Sequence, residues 1–134
     1  FVKLYESRIK SLRTRFEAQG IGFALINPHA QNNESDLTRL RAYIDDSELN
    51  MTYLIDEKQQ WTQAFQATKI PEVMVLVPGK TELELVYRGA LDNNAQVENA
   101  VTERYLEVSL VQILRGEKPA VPQVRAVGCT IRTY

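Results

Sequence analysis

Hydrophobic positions at the start of the chain repeat with the period of an α-helix. Their spacings of three and four residues place them on one stripe of an amphipathic helix, which the pattern ends at Gly20. Residues 21–26 are then a short apolar run closed by Asn27, typical of a strand buried on both faces. A helix-covered sheet is therefore expected. The positions in the helical stripe are Val2, Tyr5, Ile9, Leu12 and Phe16.

A second helix is predicted to begin at Asn33. Asparagine is a favoured N-cap, because its side-chain oxygen accepts a hydrogen bond from a backbone N–H of the first turn. The apolar positions Leu37 and Ile44 share one face, and the helix is expected to end near Asp46. A short apolar segment, residues 51–55, follows it.

A third, shorter helix is indicated by a capping-box pattern. Asp56 is followed three residues later by Gln59, a spacing at which the two residues can cap the first turn reciprocally. Trp61 and Phe65 lie four residues apart, and both are assigned to the core.

The second half of the chain predicts a β-hairpin and a long helix. Residues 73–77 are apolar and rich in β-branched side chains, residues 78–80 supply turn chemistry, and residues 83–87 alternate between apolar and polar. A helical period covers residues 97–114, and Gly116 suits the position just after a helix end.

These elements predict a single α/β domain. It covers residues 1–134 and ends in an extended, proline-containing tail, residues 117–134. The strands at 21–26, 73–77 and 83–87 are expected in one mixed sheet with helices on both faces.

Composition and charge narrow the possible partners. The 134 residues are 44% hydrophobic and 25% charged with a net charge of −1, so nothing attracts a nucleic-acid backbone non-specifically. The longest apolar runs are about five residues, whereas a membrane-spanning helix needs about twenty. Cys129 is the single cysteine, and no His/Cys cluster has metal-ligand spacing, so no cofactor is expected.

Five short segments carry a family resemblance: residues 1–6, 20–28, 70–73, 87–92 and 127–131. They resemble bacterial redoxin-domain proteins of the thioredoxin-like class, the alkyl hydroperoxide reductase and thiol-specific antioxidant type. The order and spacing of these segments together carry the resemblance, which covers nearly the whole chain. It implies a thioredoxin-like three-layer sandwich and thiol-disulfide exchange.

The resemblance also implies missing N-terminal strands. In this family a Cys-Pro pair directly precedes the segment that Phe1 opens, so the chain is expected to begin just after the reactive cysteine. The absent central strand would leave two strand edges without ladder partners. We expect a strand in that place, supplied by upstream residues, by the tail near residues 124–131, or by a second copy through a homodimer or strand exchange.

The resemblance places the substrate site at Ile70 and Pro71. Pro71 would be the family's cis-proline, which keeps a backbone edge free to pair with an extended thiol substrate. Cys129 is a candidate resolving cysteine, the alternative being an inert thiol that behaves as a small hydrophobe. His29 is expected to be a solvated loop residue with no role.

Three functions remain open. The first is a thiol-disulfide oxidoreductase in full-length form, acting on a protein disulfide or a small thiol. The second is a thiol peroxidase. Peroxidases of this family have an Arg shortly before the inner strand and a Thr or Val in place of the cis-proline. This chain has Lys69 and Pro71 instead, which favours the oxidoreductase. The third is a thioredoxin-like binding module without turnover. The compartment, bacterial cytoplasm or periplasm, is left open.

Overall fold

The computed structural model describes residues 2–47, 49 and 51–133, which form a mixed α/β fold. The chain divides into two compact units, one built from residues 5–68 with the chain end from Ile131, the other from residues 69–130 with the first residues of the first helix. Across the described ranges, no helix is long and apolar enough to cross a membrane.

The helices are α1 (Val2–Glu17), α2 (Glu34–Ser47), α3 (Gln60–Ala64) and α4 (Tyr105–Leu114). The strands are β1 (Ala24–Asn27), β2 (Thr52–Ile55), β3 (Lys69–Ile70), β4 (Val73–Pro78), β5 (Leu83–Gly89), β6 (Gln123–Val124) and β7 (Cys129–Thr130).

The two predicted N-terminal helices are confirmed. Tyr5 and Phe16 of the α1 stripe are buried, and Gly20 follows the helix with a φ of 92°, a left-handed conformation that glycine adopts without steric cost. At the start of α2, the Asn33 side chain accepts a hydrogen bond from the Asp36 backbone N–H at 2.8 Å. Both helices therefore have the boundaries that their apolar periods and end residues predict, to within a few residues.

Strands β1 and β2 form a two-stranded parallel sheet. The register runs from Ala24 opposite Thr52 to Asn27 opposite Ile55. The prediction of a strand buried on both faces is wrong, because alternate residues of both strands are exposed and Ile26 is 40% exposed. One face of this sheet is open to solvent.

Helix α3 is capped differently from the prediction. The Asp56 carboxylate accepts hydrogen bonds from the backbone N–H groups of Trp61 and Thr62 and from the Thr62 hydroxyl. Gln59 adopts a left-handed conformation with a φ of 54° and makes no side-chain cap. The core assignment of Trp61 is also wrong, since its side chain is 53% exposed and stacks at a tilt on Phe65.

The predicted hairpin is confirmed in the other unit. Strands β4 and β5 pair antiparallel, from Val73 opposite Gly89 to Pro78 opposite Leu83, and β6 adds to β5 in parallel. Gly89 has a φ of 125°, and a Cβ there would lie 1.6 Å from the Val124 carbonyl oxygen. Only glycine allows β5 and β6 to approach this closely.

The prediction that residues 21–26, 73–77 and 83–87 share one sheet is wrong for the described part of the chain. A sheet extends only where neighbouring strands exchange backbone hydrogen bonds, and β1 pairs with β2 while β4 pairs with β5. The tail does not supply a joining strand either, because β6 pairs with β5 and β7 pairs with β3. A joining strand from upstream residues or from a second copy stays a prediction.

The last helix begins at Tyr105, not near residue 97. The chain before it forms a single 3-10 turn, Glu98–Ala100, and the Asn93 side-chain oxygen then accepts hydrogen bonds from the N–H groups of Thr102 and Glu103. Such side-chain bonds compete with helical ones. At the other end, Gly116 has a φ of 79°, as predicted for the residue after a helix.

Candidate functional site

The predicted site residues lie together in the unit that contains residues 69–130. The Ile70–Pro71 peptide bond is cis, which confirms the prediction made for it. Strand β3 pairs antiparallel with β7, so that Lys69 is opposite Thr130 and Ile70 is opposite Cys129. The sequence predicted a free backbone edge before Pro71, but one edge there is occupied by the chain's own tail.

Gly128 allows the tail to approach this segment. A Cβ at Gly128 would lie 2.2 Å from the Ile70 carbonyl oxygen and 2.7 Å from its carbon, well inside van der Waals contact. The Lys69 ammonium donates a hydrogen bond to the Thr130 hydroxyl at 2.8 Å, linking the two strands through their side chains. The Cys129 thiol is free and exposed.

Glu72 fixes the segment around Pro71. One of its carboxylate oxygens accepts a hydrogen bond from the Lys69 backbone N–H at 3.2 Å, and the other forms an ion pair with the Arg88 guanidinium at 3.1 Å. The Glu72 side chain is largely buried, so this pair is better protected from solvent than a surface salt bridge. Arg88 belongs to the turn motif that carried part of the family resemblance, and it is thereby connected to the Pro71 segment.

A second cluster in the other unit was missed by sequence reasoning. The Gln59 side-chain amide donates hydrogen bonds to the Pro28 carbonyl at 2.9 Å and to the Arg132 carbonyl at 2.7 Å. The Nε2 atom of His29 accepts a hydrogen bond from the Arg132 backbone N–H at 2.9 Å. The expectation that His29 is a solvated residue with no role is therefore wrong, because it holds the end of the tail.

The loop that carries His29 is shaped by Asn27. Its side-chain oxygen accepts hydrogen bonds from the backbone N–H groups of His29 and Ala30, both at 2.9 Å. Partial burial, assisted by the Arg132 guanidinium, lowers the pKa of His29 below its ordinary value. The imidazole is consequently neutral at neutral pH, which is the form that can accept the bond from Arg132.

No cluster of three or more His, Cys, Asp or Glu side chains in the described part of the chain is placed to hold a metal ion.

The molecule thus has a mixed α/β fold in which a C-terminal strand carrying a cysteine pairs with a cis-proline segment. No protein-family model matches the chain, and neither does any curated protein. Solved structures share the fold, among them the two that follow. An uncharacterized conserved protein from Geobacillus kaustophilus is 24% identical, with a TM-score of 0.82 over 98% of this chain and 70% of that one. A hypothetical protein from Sinorhizobium meliloti 1021 is 23% identical, with a TM-score of 0.79 over 100% of this chain and 73% of that one.

Proposed function

We propose that this chain is a thioredoxin-like redoxin domain of a thiol-disulfide oxidoreductase, in which Cys129 is an exchanging, resolving sulfur. The observation that carries the proposal is the pairing of β7 with β3, which holds Cys129 opposite Ile70, the residue before Pro71.

The resemblance assigns the backbone edge before the cis-proline to an extended thiol substrate. In this chain, the tail occupies an edge of that segment and brings its own cysteine with it. Cys129 is thereby presented in the extended conformation expected of a substrate cysteine. Its exposure meets the requirement of access that thiol-disulfide exchange imposes.

The chemistry is an exchange between a thiolate and a disulfide. The Cys129 thiolate attacks one sulfur of a disulfide, a new S–S bond forms, and the other sulfur leaves as a thiolate that takes up a proton. The substrate class is a disulfide of a protein or of a small thiol. A second thiol then releases Cys129 from the mixed disulfide.

Two residues support this function over a thiol peroxidase. Lys69 and Pro71 stand where the peroxidases resembling this family have an Arg and a Thr or Val. The Lys69 ammonium also donates a hydrogen bond to the Thr130 hydroxyl, and this bond links β3 to β7.

The test compares Cys129 in the docked and the undocked tail. The rate of mixed-disulfide formation with oxidised glutathione is followed by intact mass, for the natural chain, for Gly128→Ala and for the control Gly22→Ala. Gly22 has open space around its missing Cβ, so the control leaves the tail in place. If the Pro71 segment orients the incoming disulfide, Gly128→Ala reacts slower by about tenfold or more. Equal rates in all three chains would show that Cys129 is only an exposed thiol.

A further inference from the structure

The backbone of Arg132 is held at both of its polar groups by side chains. His29 Nε2 accepts the hydrogen bond of its N–H at 2.9 Å, and the Gln59 amide donates to its carbonyl at 2.7 Å. The preceding residue, Ile131, adds a backbone bond from its N–H to the Thr68 carbonyl at 2.9 Å. Three contacts therefore fix two consecutive residues of the tail.

Gln59 is built for this contact. Its side chain is buried, with only 2% of the residue exposed, although glutamine is a polar residue that is mostly found at the surface. Both hydrogens of its amide are used, on Pro28 and on Arg132. Burying an amide without partners would be costly, so its place in the interior depends on the tail being present.

His29 makes the contact conditional on pH. A histidine nitrogen accepts a hydrogen bond only while it carries no proton, so the Arg132 bond requires the neutral imidazole with its proton on Nδ1. We call the state in which the Arg132 bond is made the closed form. Two of its features oppose protonation of His29: partial burial and the nearby positive charge of Arg132, which together lower the pKa of His29. In the open form, in which that bond is broken, neither feature is present, and the His29 imidazole titrates near the ordinary histidine value of about 6.5. The closed form is thus fully stable above that pH and loses stability as the pH falls below it.

We propose that His29 and Gln59 are positioning residues that form a pH-sensitive clip on the tail, and that this clip fixes the register of Cys129. The proposal rests on the proposed function only in the role it gives Cys129. Arg132 follows Cys129 by three residues, and β7 is only two residues long. So short a ladder depends on the contacts that flank it.

The clip itself is tested by amide hydrogen exchange in the full chain between pH 5 and pH 8, with rates corrected for intrinsic exchange. We expect the protection factor of the Arg132 amide to fall about threefold to tenfold toward pH 5. His29→Gln keeps an oxygen acceptor at similar reach but removes the titration, so its protection should not change with pH. Gln59→Ala should lower protection at every pH.

The control amide is that of Thr102, which is bonded to the Asn93 side chain and has no titrating acceptor. Its protection should not respond to pH. A flat profile for Arg132 in the natural chain, or an equal pH response in His29→Gln, would overturn the clip. The measurement needs no thiol chemistry and can be repeated in Cys129→Ser, so its outcome is independent of the proposed function.

The positioning role has its own readout. The rate of glutathione exchange at Cys129 is measured against pH for the natural chain and for His29→Gln, and the ratio of the two removes the ionisation of the thiol itself. We expect the ratio to change across the pH range in which the clip opens. A constant ratio would overturn the positioning role, even where the amide exchange shows that the clip opens.

Discussion

Replacement of Gly128 by alanine should detach the C-terminal strand from the cis-proline segment. The added methyl carbon would lie 2.2 Å from the Ile70 oxygen, 2.7 Å from the Ile70 carbon and 3.1 Å from the Pro71 nitrogen. All three are backbone atoms, which cannot swing aside as the end of a flexible side chain can. Relief of the clash would require the two strands to separate by about 1 Å, which is more than their hydrogen bonds tolerate.

The free-energy cost of Gly128→Ala is limited by the free energy of the contacts that the tail loses when it detaches from β3. Two ladder positions pair β3 with β7, and the Lys69 ammonium bonds the Thr130 hydroxyl. At about 1 kcal/mol for each of these interactions, the loss is about 3 kcal/mol, which corresponds to a hundredfold rise in the detached population. Retaining the docked tail under strain would cost about 1–3 kcal/mol, so detachment and strain are close in energy.

Hydrogen exchange measured by mass spectrometry on peptides covering residues 127–133 reports this directly. Protection of those peptides should fall by about tenfold to a hundredfold in Gly128→Ala, the loss of about 3 kcal/mol setting the upper limit. Gly22→Ala is the matched control, since no atom lies within 4 Å of its added carbon. Protection of the tail in Gly128→Ala within twofold of the natural chain would refute the packing argument.

Three further substitutions test other parts of the structure. Gly89→Ala should lower the free energy of unfolding in urea by at least about 2 kcal/mol, because its Cβ would meet the Val124 oxygen at a left-handed φ; a loss below 0.5 kcal/mol would contradict this. Asn93→Ala should cost about 1–2 kcal/mol and raise exchange of the Thr102 amide, whose acceptor it removes; unchanged exchange there would count against the loop description. The 134-residue chain should show no more turnover in insulin reduction than Cys129→Ser, since one cysteine cannot both attack and resolve a disulfide; sustained turnover would show that the chemistry lies elsewhere.

Much of the fold was predictable because its signals are local. The period of α1, the Asn33 cap of α2 and the turn between β4 and β5 each arise within about one or two turns of chain. The cis geometry of Pro71 was predicted from the resemblance and is confirmed. These features depend on neighbouring residues and not on the rest of the molecule.

Two errors have a common cause, which is competition from side chains. The apolar period continued back to residue 97, but the Asn93 side chain binds the Thr102 and Glu103 amides that a helix would use. Likewise, Gln59 was predicted to cap α3, and its amide binds carbonyls far along the chain instead. A period measures which face a helix would bury and does not register such alternative partners.

The clip on the tail lay beyond sequence reasoning because of the separation of its members. His29 and Arg132 are 103 positions apart, and Gln59 and Arg132 are 73 apart. His29 and Arg132 belong to no motif with a fixed spacing, and the capping-box spacing of Gln59 from Asp56 pointed to a different role.

Strand β4 has a practical consequence for handling the protein. Its residues from Val73 to Val77 are all apolar and half-exposed, and in the described part of the chain its backbone pairs only with β5. Natural edge strands usually carry a lysine, a proline or a bulge that stops foreign strands from adding. In β4 this protection is partial: its register with β5 shifts between Val75 and Leu76 and it ends at Pro78, but no charged side chain interrupts residues 73–77. Among the described residues, the free edge of β4 is therefore a site at which a foreign strand can add, and such addition would limit the usable protein concentration. A lysine introduced by Met74→Lys would act as a gatekeeper and raise that concentration.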